Sequence, residues 1–321
     1  MANQMTRRNF VRDAALASAV TLGLAGTELP AAEAKPDAKP AAAPKGQLPL
    51  GRIGKHEFSR LMLGGNLVAG YSHSRDLRYV SELMKQYNTE AKIIQTLEVA
   101  ESYGINVINL AVWDDLSYLQ KHWKNGGKIK LVAQALLRED DTLTDYQKAV
   151  DMGAAAVHMQ GHGAEKLIIE GRVDLIGKTL AFLKKQGVAA GVGAHALKVI
   201  EECEKAKLDV DFYQKTLHTW NYKSAPKGRE EVDRCDLGTW DNSWCAFPEE
   251  VVDFMGSVKK PWVAFKVMAA GAIAPRQGFQ YAFENGADFV LAGMFDWQIA
   301  EDVGIAQEIL SNVKRTRAWV S

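Results

Sequence analysis

From Gly51 onward the chain repeats one unit, a short apolar run followed by an amphipathic helical pattern, and this alternation restricts the fold more than any other feature. Apolar runs of strand length separated by helical periodicity are what parallel strands with crossover helices produce. The runs fall at 60–64, 106–111, 130–136, 155–160, 189–194, 211–217, 262–268 and 289–292. Helical patterns lie at 90–103, 143–152, 174–186, 197–206, 275–285 and 299–313. Gly104, Gly153, Gly187 and Gly286 follow four of these helices, where a left-handed C-terminal cap favours a residue without Cβ. Eight strands alternating with helices predict a single-domain α/β fold, the (β/α)8 or TIM barrel, whose sites lie at the C-terminal strand ends. The rival is an open doubly wound sheet, which announces a dinucleotide site by a Gly-rich turn after its first strand. The turn here, Leu63-Gly64-Gly65-Asn66-Leu67, lacks that fingerprint.

At 321 residues and 47% hydrophobic, the chain has ample core for such a barrel. Its 39 basic and 39 acidic residues cancel, which gives no electrostatic case for a nucleic-acid partner. Three cysteines are too few and too widely spaced for a disulfide framework or a zinc knuckle. A Cys235–Cys245 bridge stays open for an oxidising compartment.

The segment Thr6-Arg7-Arg8-Asn9-Phe10-Val11-Arg12 resembles a twin-arginine export motif. A mildly apolar stretch at 14–26 follows, too short to span a membrane as a mature helix. Ala32-Glu33-Ala34 supplies a small-x-small cleavage pattern. The expected organisation is a signal peptide at 1–34, a Pro/Ala/Lys-rich tether at 35–50 and a barrel domain at 51–321. The expected destination is the periplasm or exterior by way of the twin-arginine machinery, with no stable membrane insertion after cleavage.

The fourth run, AAAVHMQGHG at 154–163, places His158, Gln160 and His162 at every second position. Successive strand side chains point to opposite faces, so these three share one face. The barrel would turn that face to its mouth. Other strand ends add Asn66, then Asn109, Trp113 and Asp114, then Gln134, His195, Gln214, Lys215 and His218, and finally Lys266, Phe295 and Asp296. A metal is the natural question for histidines so concentrated. On a straight strand His158 and His162 stand about 13 Å apart, too far for one ion. A shared ion needs a bend at Gly161, or His162 paired with His195 or His218. The sequence sets no carboxylate beside them, so a divalent metal has ligand types without ligand spacing. Lys266, read as mid-strand, suits a Schiff base, an anion, or a structural pair with Asp114 or Asp296.

The long segment 218–260 carries Trp220, Tyr222, Trp240 and Trp244, apt for stacking on a sugar or forming a lid. The loop at 68–76 offers Tyr71, His73 and Arg75, the last a candidate anion clamp.

Four stretches resemble the aldo/keto reductase superfamily in order and spacing: GRIGKHEFSRLMLGGN, AAGVGAHALKVIEECEKAKLDVDFYQ, WVAFKVMAAGAI and ADFVLAGMFDWQIAEDV. The resemblance implies a barrel with a nicotinamide cofactor, NADP, across the mouth, contacted by Asn109, Gln214 and Phe265. That family uses an Asp and a Tyr after strand two, a Lys on strand three and a His ending strand four. Here Asn109 stands where the Asp belongs, Asp114 where the Tyr belongs and Gln134 where the Lys belongs, and His162 matches. The tyrosine donates the proton to the nascent alkoxide, so the site departs at its acid. Tyr118 offers a displaced hydroxyl. The usual basic residue after strand eight is replaced by Phe295 and Asp296.

Three readings follow. The first is an exported aldo/keto-reductase-like oxidoreductase acting on a carbonyl or sugar-like small molecule, with His162 polarising the oxygen and Asp114 or Tyr118 managing the proton. The second is a non-redox lyase, isomerase or hydrolase of modified carbohydrates. It uses His158, His162, His195 and His218 as acid, base or metal ligands, with Lys266 or Arg75 holding an anion. The third is a secreted glycan-binding protein on a barrel scaffold.

Overall fold

The computed structural model describes residues 47–139, 142–229 and 242–321. The ordered chain opens with an antiparallel hairpin, β1 (Leu50–Ile53) and β2 (His56–Ser59), turned at Gly54 with φ +58°. Leu48 is buried and Leu50 pairs with Ser59, so structure begins inside the stretch expected as a tether. Then come β3 (Leu61–Gly64), α1 (Asn66–Ala69), α2 (Tyr79–Tyr87), α3 (Glu90–Ser102), β4 (Val107–Ala111), α4 (Ser117–Lys124), β5 (Lys130–Ala135) and α5 (Thr144–Asp151). The middle of the chain forms β6 (Ala156–Met159), α6 (Gly161–Ile169), α7 (Val173–Lys185), β7 (Ala189–Ala194), α8 (Leu197–Lys205) and β8 (Phe212–Thr216). The last elements are α9 (Pro248–Ser257), β9 (Trp262–Phe265), α10 (Pro275–Glu284), β10 (Phe289–Ala292) and α11 (Asp296–Asn312).

Eight strands, β3 to β10, close in sequence order, β10 pairing with β3. Every pairing in the barrel is parallel. The fold is a (β/α)8 barrel, as the alternation of runs and helices predicts. Two apolar layers result. Outward-facing side chains such as Leu63, Ile108 and Val157 join the helices in the main core, while Met62, Val107, Val132, Phe212, Val263 and Phe289 fill the interior. The hairpin's Ile53 and Phe58 belong to that inner cluster and plug the N-terminal end of the barrel. Among the described residues, no helix is long and apolar enough to cross a membrane.

Two departures from expectation matter for the site. The seventh strand stops at Phe265 rather than running to 268, because Lys266 takes φ +56° and leaves the ladder. The fourth strand stops at Met159, and Gln160 becomes the cap of α6, its Oε1 accepting from the Gly163 amide at 2.9 Å. Gly161 permits this early turn, since a Cβ there would lie 2.8 Å from the His195 ring. The alternation across VHMQGHG is therefore half strand and half helix. His158 and His162 do not share a strand face.

Candidate active site

The barrel interior below the mouth is closed by a polar layer. Asn109 Nδ2 lies 3.0 Å from His158 Nε2 and 3.4 Å from Gln214 Oε1. His158 Nδ1 lies 3.1 Å from the Met159 carbonyl, which fixes Nδ1 as the protonated nitrogen and Nε2 as acceptor for Asn109. Burial pushes the His158 pKa down to about 4, so the ring is neutral. All three residues are buried. Two expected cofactor contacts, Asn109 and Gln214, thus turn their amides toward each other in the barrel centre. Gln134 stands in register with His158 on the adjacent strand and is half-buried.

Above this layer the structure gathers His162 from α6 and His195 from the loop after β7, their ring centroids 4.6 Å apart. Between them stands a residue the sequence reading missed. Glu165, one helical turn after His162, places Oε2 3.4 Å from His162 Nδ1 and 3.4 Å from His195 Nδ1. Its Oε1 accepts from the His195 amide at 2.6 Å and the Ala196 amide at 2.8 Å. This corrects the expectation that no carboxylate accompanies the histidines. A helical reading of 161–169 would have put His162 and Glu165 on one face at i and i+3. Burial raises the Glu165 pKa, but hydrogen bonds from His162 and His195 outweigh it and hold the carboxyl well below its usual range. Burial drives His195 the other way, down to about 4, against the pull of Glu165. An ionised carboxylate and a neutral imidazole therefore stand in contact. His162 is the accessible member, with 54% of its side chain exposed.

Trp244 covers the cluster, its ring 4.8 Å from His195 and 5.5 Å from His162. Phe265 packs on His195 at 5.4 Å. Lys266 sets its ammonium 3.6 Å from the Trp244 ring centre, a cation–π contact, and 2.9 Å from His73 Nε2. Of the two carboxylates weighed as its structural partners, Asp296 pairs with Lys92 and Asp114 accepts from Tyr71.

The segment bearing Trp244 is fastened from below. His218 Nε2 accepts from the amides of Trp244 and Cys245, both at 3.0 Å, while its Nδ1 lies 3.0 Å from the Thr219 carbonyl. Burial pushes the His218 pKa down to about 4. Trp220 Nε1 donates to the Cys245 carbonyl at 2.9 Å. His218 and Trp220 thus hold the loop, Gln160 caps a helix, and Arg75 is exposed on the first loop. Trp240 and Cys235 lie outside the described residues.

A second polar group sits on the strand-one and strand-two side. Tyr71 OH donates to Asp114 Oδ1 at 2.8 Å and receives Trp113 Nε1 at 3.4 Å. Burial raises the pKa of Asp114, with the Tyr71 bond opposing. Tyr118 is buried and its phenol is raised by burial and then by Asp114, which makes it a poor proton donor.

No protein-family model matches this chain, and no curated protein matches it. Among solved structures it is similar to a protein assigned to the aldo-keto reductases from Pseudomonas aeruginosa, at 18% identity and a TM-score of 0.57, over 82% of this chain and 97% of that one. A second structure carrying that assignment and source matches at 18% identity and 0.55, over 81% and 95%. An aldo/keto reductase from Brucella melitensis matches at 12% identity and 0.50, over 84% and 96%. What these likenesses establish is a shared barrel.

Proposed function

We propose that the barrel mouth is the active site of an enzyme acting on a carbonyl or hydroxyl-bearing carbon of a small sugar-like molecule. His162 polarises the substrate oxygen, and Glu165 with His195 moves the proton. The observation that carries this reading is the convergence of His162, Glu165 and His195 beneath Trp244 at the strand ends, the face barrel enzymes use. A carboxylate held ionised beside a neutral imidazole is an acid–base pair whose members differ in basicity. Half-buried Lys266 supplies a cation for an anionic sugar, while the buried Trp244 ring closes over the histidines. Such a site suits enolisation, isomerisation or elimination next to a carbonyl. The test is solvent deuterium exchange into a panel of keto-sugars and sugar acids, followed by NMR, with wild type and His162→Ala. Exchange equal in the two proteins would defeat the assignment.

Hydride transfer with NADP is the second reading. It draws on the barrel likeness and on the Tyr71 hydroxyl bonded to Asp114, a phenol brought to the rim where this chain has Asp114 in place of the family's tyrosine. The residues present fit that cofactor poorly. Asn109 and Gln214 bond to each other, and Asp296, a carboxylate paired with Lys92, follows the last strand where a phosphate would need a cation. Titration of NADPH fluorescence separates the readings. Saturable quenching supports hydride transfer, and none at millimolar cofactor leaves proton transfer.

We further propose export through the twin-arginine route, supported by the 6–12 motif and the cleavage pattern at 32–34, both outside the described residues. Cell fractionation should find the product outside the cytoplasm, and paired Arg7→Lys, Arg8→Lys replacement should retain it inside.

A further inference from the structure

We propose that His162 Nδ1, Glu165 Oε2 and His195 Nδ1 together bind a divalent transition-metal cation of the zinc type, an assignment that rests on reading this cluster as the reactive centre. The distances carry the argument. Oε2 stands 3.4 Å from both imidazole nitrogens. A charge-assisted N–H···O bond is shorter, about 2.7–2.9 Å. Metal–ligand bonds of about 2.0–2.1 Å arranged tetrahedrally put neighbouring donor atoms about 3.3–3.4 Å apart. These long hydrogen-bond separations also match the edges of a tetrahedral coordination polyhedron, so a cation could replace the shared protons without moving the donors. One ligand atom from each of His162, Glu165 and His195 lies within 4.8 Å of the other two.

The supporting structure agrees. Glu165 Oε1 accepts from two backbone amides, which orient the carboxylate, and it also stands 3.3 Å from His195 Nδ1, so that imidazole faces both oxygens while His162 faces Oε2. His162 and Glu165 come from consecutive turns of α6, and His195 follows β7. The two pieces are brought together because Gly161 has no Cβ to displace the His195 ring. Two imidazoles and one carboxylate are nitrogen and oxygen ligands of zinc, and three protein ligands leave a coordination position for water or substrate. The Lys266 ammonium near this cluster opposes a cation, and the Glu165 carboxylate offsets it. The contrast lies elsewhere in the barrel, where His122 Nε2 meets Glu101 Oε2 at 3.1 Å as a simple pair.

The test uses untagged full-length protein dialysed against EDTA and titrated with Co(II), read by its visible ligand-field bands, with Zn(II) as competitor. Tetrahedral-type bands saturating at one equivalent and bleached by Zn(II) are expected. His162→Ala, a largely exposed position that should leave folding intact by circular dichroism, should weaken binding at least about tenfold. His56→Ala, on the hairpin at the opposite end, should bind as wild type. Absence of saturable bands, or binding unchanged in His162→Ala, would overturn the proposal. Metal-free protein that still catalyses deuterium exchange without binding Co(II) removes the metal and keeps the acid–base function. Saturable Co(II) binding in protein that exchanges no substrate keeps the metal and removes that function.

Discussion

The two ends of the barrel solve opposite problems. At the N-terminal end Asp288 is fully buried and saturated: it accepts from Arg317 at 2.8 Å, the Val320 amide at 2.9 Å and the Trp262 amide at 2.9 Å, with Arg315 at 3.6 Å. Arg60 reaches the Asp288 carbonyl at 2.8 Å and stacks on Trp319. At the mouth, by comparison, the carboxylate of Glu165 faces two half-engaged imidazoles. Backbone strain is distributed in the same way. Non-glycine residues with positive φ include His73, Arg75, Phe247, Lys266, Ala269 and Ala270, all in connections that lead from a barrel strand to the next long helix, the last two in a short 3-10 turn, against Lys207 after α8. Strain of this kind clusters where surrounding structure must hold a functional geometry. One end secures the fold and the other is kept under tension.

The sharpest way to break this comparison is at its stable end. Arg317→Met leaves Asp288 buried without its closest cation and should cost about 3–5 kcal/mol in urea unfolding. A change under about 1 kcal/mol, the worth of an exposed pair, would show that the closed end is not the anchor. Glu165→Gln should lower kcat/KM by about 10²–10⁴ if the carboxylate moves the proton, and should also cost some stability at neutral pH, since the folded state holds that carboxyl below its usual range. Equal activity would remove Glu165 from the chemistry.

Acid should loosen the mouth first. His218 has a folded pKa of about 4, below the value near 6.5 of an unperturbed histidine. The unfolded chain therefore binds its proton first, so this contribution is complete above about pH 6.5 and is lost as pH falls toward 4. Amide exchange at Trp244 and Cys245 should accelerate between pH 7 and 5 relative to Trp262 and Val320, after correction for intrinsic rates. Parallel behaviour at both ends would mean that His218 is not the clip. The smallest effect concerns strain alone. Ala270, exposed at φ +55°, should gain up to about 1 kcal/mol on Ala270→Gly with activity unchanged. No gain would mean that the left-handed backbone there is already compensated.

The barrel was legible because its signal is local and repeated. Each strand needs only a run such as AAGVGA, and each helix a 3.6-residue pattern ended by glycine. The site was legible only in part. His162, His195, Lys266 and Phe265 were placed at the mouth, and the structure brings them together around Trp244. Glu165 was invisible because the alternating HMQGH masks a helix start, and recognising that start requires knowing that Gln160 turns its amide onto Gly163. The buried exchange between Asn109 and Gln214, on β4 and β8, joins residues far apart in the chain, which no local pattern reports. The C-terminal arginines give no local signal because the stretch after α11 has no periodicity, although Arg315 and Arg317 donate to carbonyls of two backbone segments, 258–260 and 286–287, at the closed end.

Thr216 gives the mouth one further property. Its hydroxyl lies 2.8 Å from the Trp244 carbonyl and 3.2 Å from the His195 carbonyl, and the Lys215 amine bonds it from behind at 2.7 Å. The backbones of Trp244 and His195 are therefore tied to one hydroxyl. Displacing the Trp244 segment would strain the His195 backbone as well, so under the proposed function entry and proton transfer would be coupled.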